Sequence, residues 1–414
     1  MKKAFLVLGA ALSLAACSKD VVPPKDASLE GDIVLMPMGI NESGYSKLFV
    51  LNEGGMGSNN STLDFMRLKE SWYITDAFGK MNPGIAAGLG DVGNDIAVHG
   101  RELWIVVNNS GIVEVISAAD ETEIAAIQVP TPRNIAFDSQ YAYVTSWAGA
   151  HANGSYDKDG NYVITDSSNP KGQVYRIDLN TKKVDGSVEV GYQPEGIAYY
   201  DGKLYVANSG GISSQLPPMY SYDNTVSIID VNTFKVIGST EVAPNLKSIY
   251  ADGNGAIFVT TFGNYWDVHT GLYVFLASNP SNVTLVGTGT AIKPEALHVS
   301  CSCISDGTVY CIGTEDEYDW SAVHNYSAWS CCIEDYATGK CTVSLYPQTI
   351  QGTPYGMTVI RNGSTSSPLH YLILGDAGDY FNPGTVSCYA LDFNDGEKYW
   401  TVTAGVCPGH FALW

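Results

Sequence analysis

The chain has 414 residues, 45% of them hydrophobic, so it can bury a substantial core and wholesale disorder is excluded. Asp and Glu number 43 against 22 Lys and Arg, a formal net charge of −21. A surface this acidic repels a phosphate backbone, which excludes nucleic acid as a partner. Charged residues are only 16%, while Gly reaches 43 and Tyr 26, a composition of short strands and tight turns rather than coiled coils.

At the N-terminus, Lys2 and Lys3 precede an apolar run over residues 4–14 that is too short to span a bilayer. The run ends in Leu14-Ala15-Ala16-Cys17, which resembles the bacterial lipoprotein cleavage box. The resemblance implies that residues 1–16 are a removed signal peptide and that Cys17 is acylated. At about 0.8 kcal/mol per buried methylene, a multiply acylated Cys17 anchors firmly. Residues 17–44 then read as the lipidated Cys and a flexible tether containing Pro23-Pro24. Ser18-Lys19-Asp20 resembles the surface-export signal of Bacteroidetes lipoproteins, which points the body outward. No later stretch is long and apolar enough to span, so the membrane is reached through the lipid alone.

Residues 45–414 repeat. A small or Pro-containing turn leads into a short apolar strand at Asn94-Asp95-Ile96-Ala97, Pro132-Arg133-Asn134-Ile135-Ala136 and Pro194-Glu195-Gly196-Ile197-Ala198. The phrase returns at Leu246-Lys247-Ser248-Ile249, Pro294-Glu295-Ala296-Leu297, Pro354-Tyr355-Gly356-Met357 and Pro408-Gly409-His410-Phe411-Ala412. The anchors are Ile96, Ile135, Ile197, Ile249, Leu297, Met357 and Phe411, recurring every ~50 residues, the period of an array whose units cover one another. Within the unit that opens at Pro194, residues 196–200, 204–207, 225–230 and 235–242 alternate with period two, and Asp201-Gly202 supplies a hairpin turn. Four antiparallel strands in ~50 residues make one propeller blade.

The two ends complement each other. Residues 47–52 look like a second strand without its first, and residues 410–414 like a first strand without its blade. Pairing them closes a ring and removes two sheet edges. The fold class is therefore all-β, a seven-bladed β-propeller with one blade shared by the termini.

In such a ring the loops between second and third strands share one face with the connections between blades. These loops fall at residues 52–60, 108–111, 146–172, 208–224, 261–271, 314–329 and 375–384. They carry Trp147, Tyr220, Tyr222, Phe262, Tyr265, Trp266, Tyr318, Trp320, Tyr326, Trp329, Tyr380 and Phe381, a rim of rings suited to ligand binding or to packing among the loops themselves. The short turns place Arg133, Glu195, Lys247, Glu295, Tyr355 and His410 near the central mouth. Asn52, Asn108, Asn208 and Asp376 end second strands and are expected to reach the same mouth, or else to cap turn backbone. Amides and mixed charges suit a polar, near-neutral ligand, and aromatic faces suit its flat parts.

Ser155 through Asp166 has the spacing of a calcium loop, with Asp157, Asp159 and Asp166 as candidate ligands, although a plain Asp-Gly hairpin explains it too. Eight cysteines follow Cys17: Cys301, Cys303, Cys311, Cys331, Cys332, Cys341, Cys388 and Cys407. They lack tetrahedral zinc spacing and serve as small core residues or as disulfides whose pairing stays open. There is no nucleophile elbow, phosphate loop or zinc-protease helix, and His410 reads as a structural histidine before a general base.

The repeats resemble the YncE-like, surface-layer-type propellers. More narrowly, Leu48-Phe49-Val50-Leu51-Asn52-Glu53-Gly54, Gly57-Ser58-Asn59-Asn60-Ser61-Thr62-Leu63, Leu89-Gly90-Asp91-Val92 and Ile105-Val106-Val107-Asn108-Asn109-Ser110-Gly111 resemble a Bacteroidetes lipoprotein family. Its members include the surface cobalamin-capture proteins of the BtuG type. The resemblance implies a seven-bladed propeller at the outer membrane that binds cobalamin or a related corrinoid, passes it to a TonB-dependent transporter, needs no cofactor, and carries no catalytic residues. The cysteine-rich sixth unit departs from that pattern. A glycan-binding or adhesion propeller, and a calcium-dependent lactonase or lyase working through Glu195, Glu295 or His410, are the alternative expectations.

Overall fold

The computed structural model describes residues 32–33, 40, 44–148, 154–156, 162–164, 171–210, 212–213, 220–265, 267–287, 297–314, 324–361, 369–393 and 398–414. Seven antiparallel sheets of at least four strands form a ring, a seven-bladed β-propeller. Blade 1 combines the termini: Pro408–Leu413 lies innermost, followed by Lys47–Asn52, Thr62–Arg67, Trp72–Ile74 and Asp32–Ile33. Blades 2 to 7 open with the inner strands Gly93–His99, Pro132–Phe137, Pro194–Tyr200, Leu246–Ala251, Cys301–Ser305 and Pro354–Arg361.

Period-two alternation explains how the ring packs. Successive side chains of one strand point to opposite faces, so each blade feeds both of its neighbours. In blade 4, Leu204 and Val206 join an apolar cluster with blade 3, whereas Tyr205 and Ala207 join one with blade 5. Seven such clusters fill the seven blade interfaces, and the one between blades 7 and 1 is as well buried as the rest. The inner strands crowd at the axis: a Cβ added at Gly356 would lie 1.8 Å from the Gly409 carbonyl oxygen. Only a residue without a side chain fits there.

Closure is secured beyond the strand ladder. Leu48 pairs with Leu413 and Val50 with Phe411, and the amides of Ser46 and Lys47 donate to the Trp414 carbonyl at 2.6 and 3.0 Å. Lys47 is buried beneath this seam. Its Nζ donates to Glu121 Oε1 at 2.5 Å and to the carbonyls of Ala118 and Ala119 at 3.0 and 2.6 Å. It also lies 4.9 Å from the Phe65 ring centroid and 5.4 Å from that of Trp414. One cation thus joins both termini to blade 2.

Two boundaries differ from the sequence reading. The stretch before residue 45 is not all tether, because Asp32 and Ile33 pair with Tyr73 and Trp72 as a fifth strand and Ile40 is buried against Leu48 and Tyr73. The inner strand of blade 6 is Cys301–Ser305, not the Pro294-led phrase. Ser302 faces Cys311 as Ile197 faces Val206, so the anchor falls on Ser302 and Leu297 belongs to the approach. Six inner strands carry a register shift just before the anchor, and blade 6 does not. A bulge re-aims the side chains at that point, so blade 6 presents its approach residues differently.

Candidate ligand face around the axial mouth

The shifted positions before the anchors put polar groups of the bulged blades near the axis, and several of them bond to the next blade. Asn94 Nδ2 donates to the Arg133 carbonyl at 2.8 Å, Arg133 Nε donates to Glu195 Oε2 at 2.8 Å, and Lys247 Nζ donates to the Ser300 carbonyl at 3.1 Å. Tyr355 donates its hydroxyl to Glu53 across the seam between blades 7 and 1. Aromatic faces back the cations: the Arg133 guanidinium lies 4.5 Å from the Trp147 centroid and Lys247 Nζ 4.6 Å from that of Phe262.

These charges sense one another. Burial raises the carboxyl pKa of Glu53 and Glu195 above the ordinary range, while Arg133 and Lys247 pull both back down. Burial, followed by the same two cations, holds His410 down at about 3, so its imidazole is neutral. One layer deeper, Asp95 accepts from the amides of Ile96 and Ile135, both at 2.9 Å, and burial raises it to about 6. Below the mouth lies an axial cavity of about 420 Å³ lined by Asp95, Asn134, Lys247, Ser248, Tyr355 and His410 among others.

The structure places Arg133, Trp147, Glu195, Phe262, Tyr355 and His410 around the mouth, with His410 in the cavity wall. Asn52, Asn108 and Asn208 are not at the mouth. All three are buried, with Nδ2 spent on Thr62 Oγ1 at 2.9 Å, the Pro132 carbonyl at 2.8 Å, and the Thr225 carbonyl and Ser227 Oγ, each at 3.0 Å. An amide at a strand end finds nearby backbone or hydroxyl groups sooner than solvent. Asp376 likewise accepts from Gly378 N at 2.8 Å within its own turn. Tyr326 and Trp329 lie in the third strand of blade 6, Asn325–Asp335, and are buried. Glu295, Tyr318, Trp320 and Trp266 fall outside the described residues, as do Cys17, Asp157, Asp159 and Asp166. The segments flanking the Asp-rich turn pair as a hairpin, Ser155 with Val163 and Tyr156 with Tyr162. Among the described residues, no group of three or more His, Cys, Asp or Glu gathers to hold a metal ion.

The loop face also exposes apolar groups. Phe381 is 87% exposed, Met56 78%, Tyr380 47% and Tyr265 46%. Tyr380 meets Tyr355 edge-on at 5.9 Å, linking the outer rings to the mouth. Sequence reasoning missed Glu53 and Ser300 as mouth residues. Glu53 was findable from the closure itself, because its amide donates to the Cys407 carbonyl at 2.9 Å directly after the pairing of Asn52 with Pro408.

No family model matches the chain, and no curated protein sequence matches it. Among solved structures, the chain is similar to Kuenenia stuttgartiensis hydrazine synthase at a TM-score of 0.53 and 15% identity, over 77% of this chain and 88% of that one. At that identity the likeness carries the propeller architecture alone.

Proposed function

We propose that the protein is a non-enzymatic binding propeller that captures a corrinoid such as cobalamin on its loop face and hands it to a TonB-dependent outer-membrane transporter. The observation that carries this reading is the exposed set Met56, Tyr265, Tyr380 and Phe381 around a mouth that holds the Arg133–Glu195 pair and the Tyr355–Glu53 hydrogen bond. A corrinoid is a flat, nearly neutral macrocycle fringed with amides. Its apolar faces need rings, and its fringe needs donors and acceptors that carry no large net charge. Pockets of roughly 300–1,000 Å³ take drug-sized ligands, and a corrinoid is larger than these. The axial cavity of about 420 Å³ is therefore too small for it, and the ligand lies across the face. The resemblance to BtuG-type proteins, concentrated in residues 48–147, supports the same class.

The strand Asp32–Ile33 bears on orientation. It runs antiparallel to Trp72–Ile74 and away from the loop face, so a tether entering at Asp32 would come from the loop-face side. The residues between Cys17 and Asp32 span at most about 50 Å when extended. Lipid on Cys17 would thus hold the body within that reach of the outer membrane.

Calorimetry with cyanocobalamin tests the reading. Saturable heat supports it, and no heat at micromolar concentrations overturns it. Retention of a glycan without corrinoid would move the assignment to adhesion, and lactone turnover abolished by chelation would move it to an enzyme.

A further inference from the structure

The wall of the axial cavity changes character with depth. Ile96, Ile135, Ile197, Ile249, Met357 and Phe411 line it from six blades as an apolar belt. Ser302 interrupts the belt in blade 6, but its carbonyl accepts from the Tyr250 hydroxyl at 3.0 Å and its Oγ lies 3.0 Å from the same hydroxyl. Nearer the mouth, most polar groups are engaged as well. Asp95 gives one oxygen to the Ile96 amide and the other to the Ile135 amide, Tyr355 donates to Glu53, and the Arg133 charge is matched by Glu195. Two groups in the cavity wall are left over. Lys247 Nζ donates to the Ser300 carbonyl and rests on the Phe262 ring, with no carboxylate at ion-pair distance among the described residues. His410 makes no hydrogen bond among the described residues, and although it stands on an inner strand it keeps accessible surface, which opens into the cavity.

We propose that the axial cavity is a second binding site, for a small monocarboxylate with a short apolar body, whose head meets the Lys247 ammonium and the His410 imidazole while its body fills the apolar belt. The unmatched cation sets the sign of the head. An ammonium ligand would be repelled by Lys247 and would meet carboxylates that already have donors. A neutral amide would form weaker hydrogen bonds than the charge-assisted ones a carboxylate accepts. A neutral imidazole adds one N–H donor to the same head. The belt sets the body, because polar groups placed against Ile197 and Ile249 would lose water without gaining partners. Volume sets the size. At the ~30 Å³ that a water takes up in the liquid, a cavity of about 420 Å³ holds about 14 water-sized groups, enough for a six-carbon acid. The site lies below the face on which a corrinoid would rest and does not depend on that reading.

The test is calorimetry on the full chain, without corrinoid, using hexanoate as the probe and hexanamide and hexylammonium as its matched controls. Hexanoate should give saturable heat at millimolar concentrations, hexanamide should bind about tenfold or more weakly, and hexylammonium should not bind. Lys247→Met should weaken hexanoate about tenfold or more and bring it level with hexanamide. Ile197→Phe, which narrows the belt, should weaken both compounds together. If Ile197→Phe does not fold, His410→Ala takes its place and should weaken hexanoate more than hexanamide. No saturable heat with hexanoate, hexanamide or hexylammonium binding as tightly, or hexanoate binding unchanged in Lys247→Met overturns the assignment.

Discussion

Replacing Lys47 by Met leaves the seam between the termini intact in shape but removes its cation. The side chains of Lys47 and Glu121 are only 6% and 0% exposed, so the Glu121 carboxylate would be left buried without its cation, and the carbonyls of Ala118 and Ala119 would lose their donor. Breaking a buried pair by removing one partner costs about 3–5 kcal/mol. With about 2.1 cal/mol/K of unfolding entropy per residue over about 370 propeller residues, ΔS is about 0.8 kcal/mol/K, and the loss becomes about 4–6 °C in Tm. Differential scanning calorimetry at neutral pH reads it. The double variant Lys47→Met/Glu121→Leu removes both charges and should recover at least half the loss, because an apolar pair of similar volume tolerates the site. A single-variant loss below about 1 °C, or a double variant worse than the single, would refute the reasoning.

The remaining predictions address the blades and the face. Burial raises the buried Glu114 carboxyl to about 8 from an ordinary 4.5, and its Oε1 has no hydrogen-bond partner among the described residues. The folded state therefore holds a proton that the unfolded state releases, and stability falls as pH rises from about 4.5 to 8, by up to about 1.4 kcal/mol per unit. Glu114→Gln should flatten that dependence, raising Tm at pH 8 more than at pH 5; a constant difference between the two would count against it. Asn208→Ala strands the Gly191 amide and the acceptors around Thr225, and its urea midpoint should report a loss of about 1–3 kcal/mol. Phe381→Ser with Tyr380→Ser should weaken cyanocobalamin binding about tenfold or more, because exposed rings contribute to binding rather than folding. Its Tm should stay within about 1 °C of the parent.

The ring was legible because alternation and complementary ends are both local signals. Residues 47–52 had no inner partner in sequence, and residues 410–414 had no outer one, so the closure followed from the strand pattern. Blade 6 was harder to place. Pro294-Glu295-Ala296-Leu297 imitates the turn phrase of the other blades, while the actual inner strand puts Ser302 where they carry an aliphatic or aromatic anchor and has no bulge before it. The charged mouth residues Arg133, Glu195 and Lys247 were readable because each stands two residues before a repeat anchor. Of the two readings open for the asparagines, the structure takes the capping one, with Asn108 and Asn208 bonding neighbouring backbone and Asn52 the Thr62 hydroxyl, a choice set by tertiary proximity rather than by residue type. Glu53 needed the closure first, since only the paired termini bring Tyr355 to it.

Hydrogen exchange with and without cyanocobalamin tests the central claim most directly. The account predicts slowed exchange in residues 53–61, 262–265 and 377–384 on the loop face, with the turns of the opposite face, such as 335–340, unchanged. Protection confined to that opposite face, or no protection at saturating ligand, would contradict it.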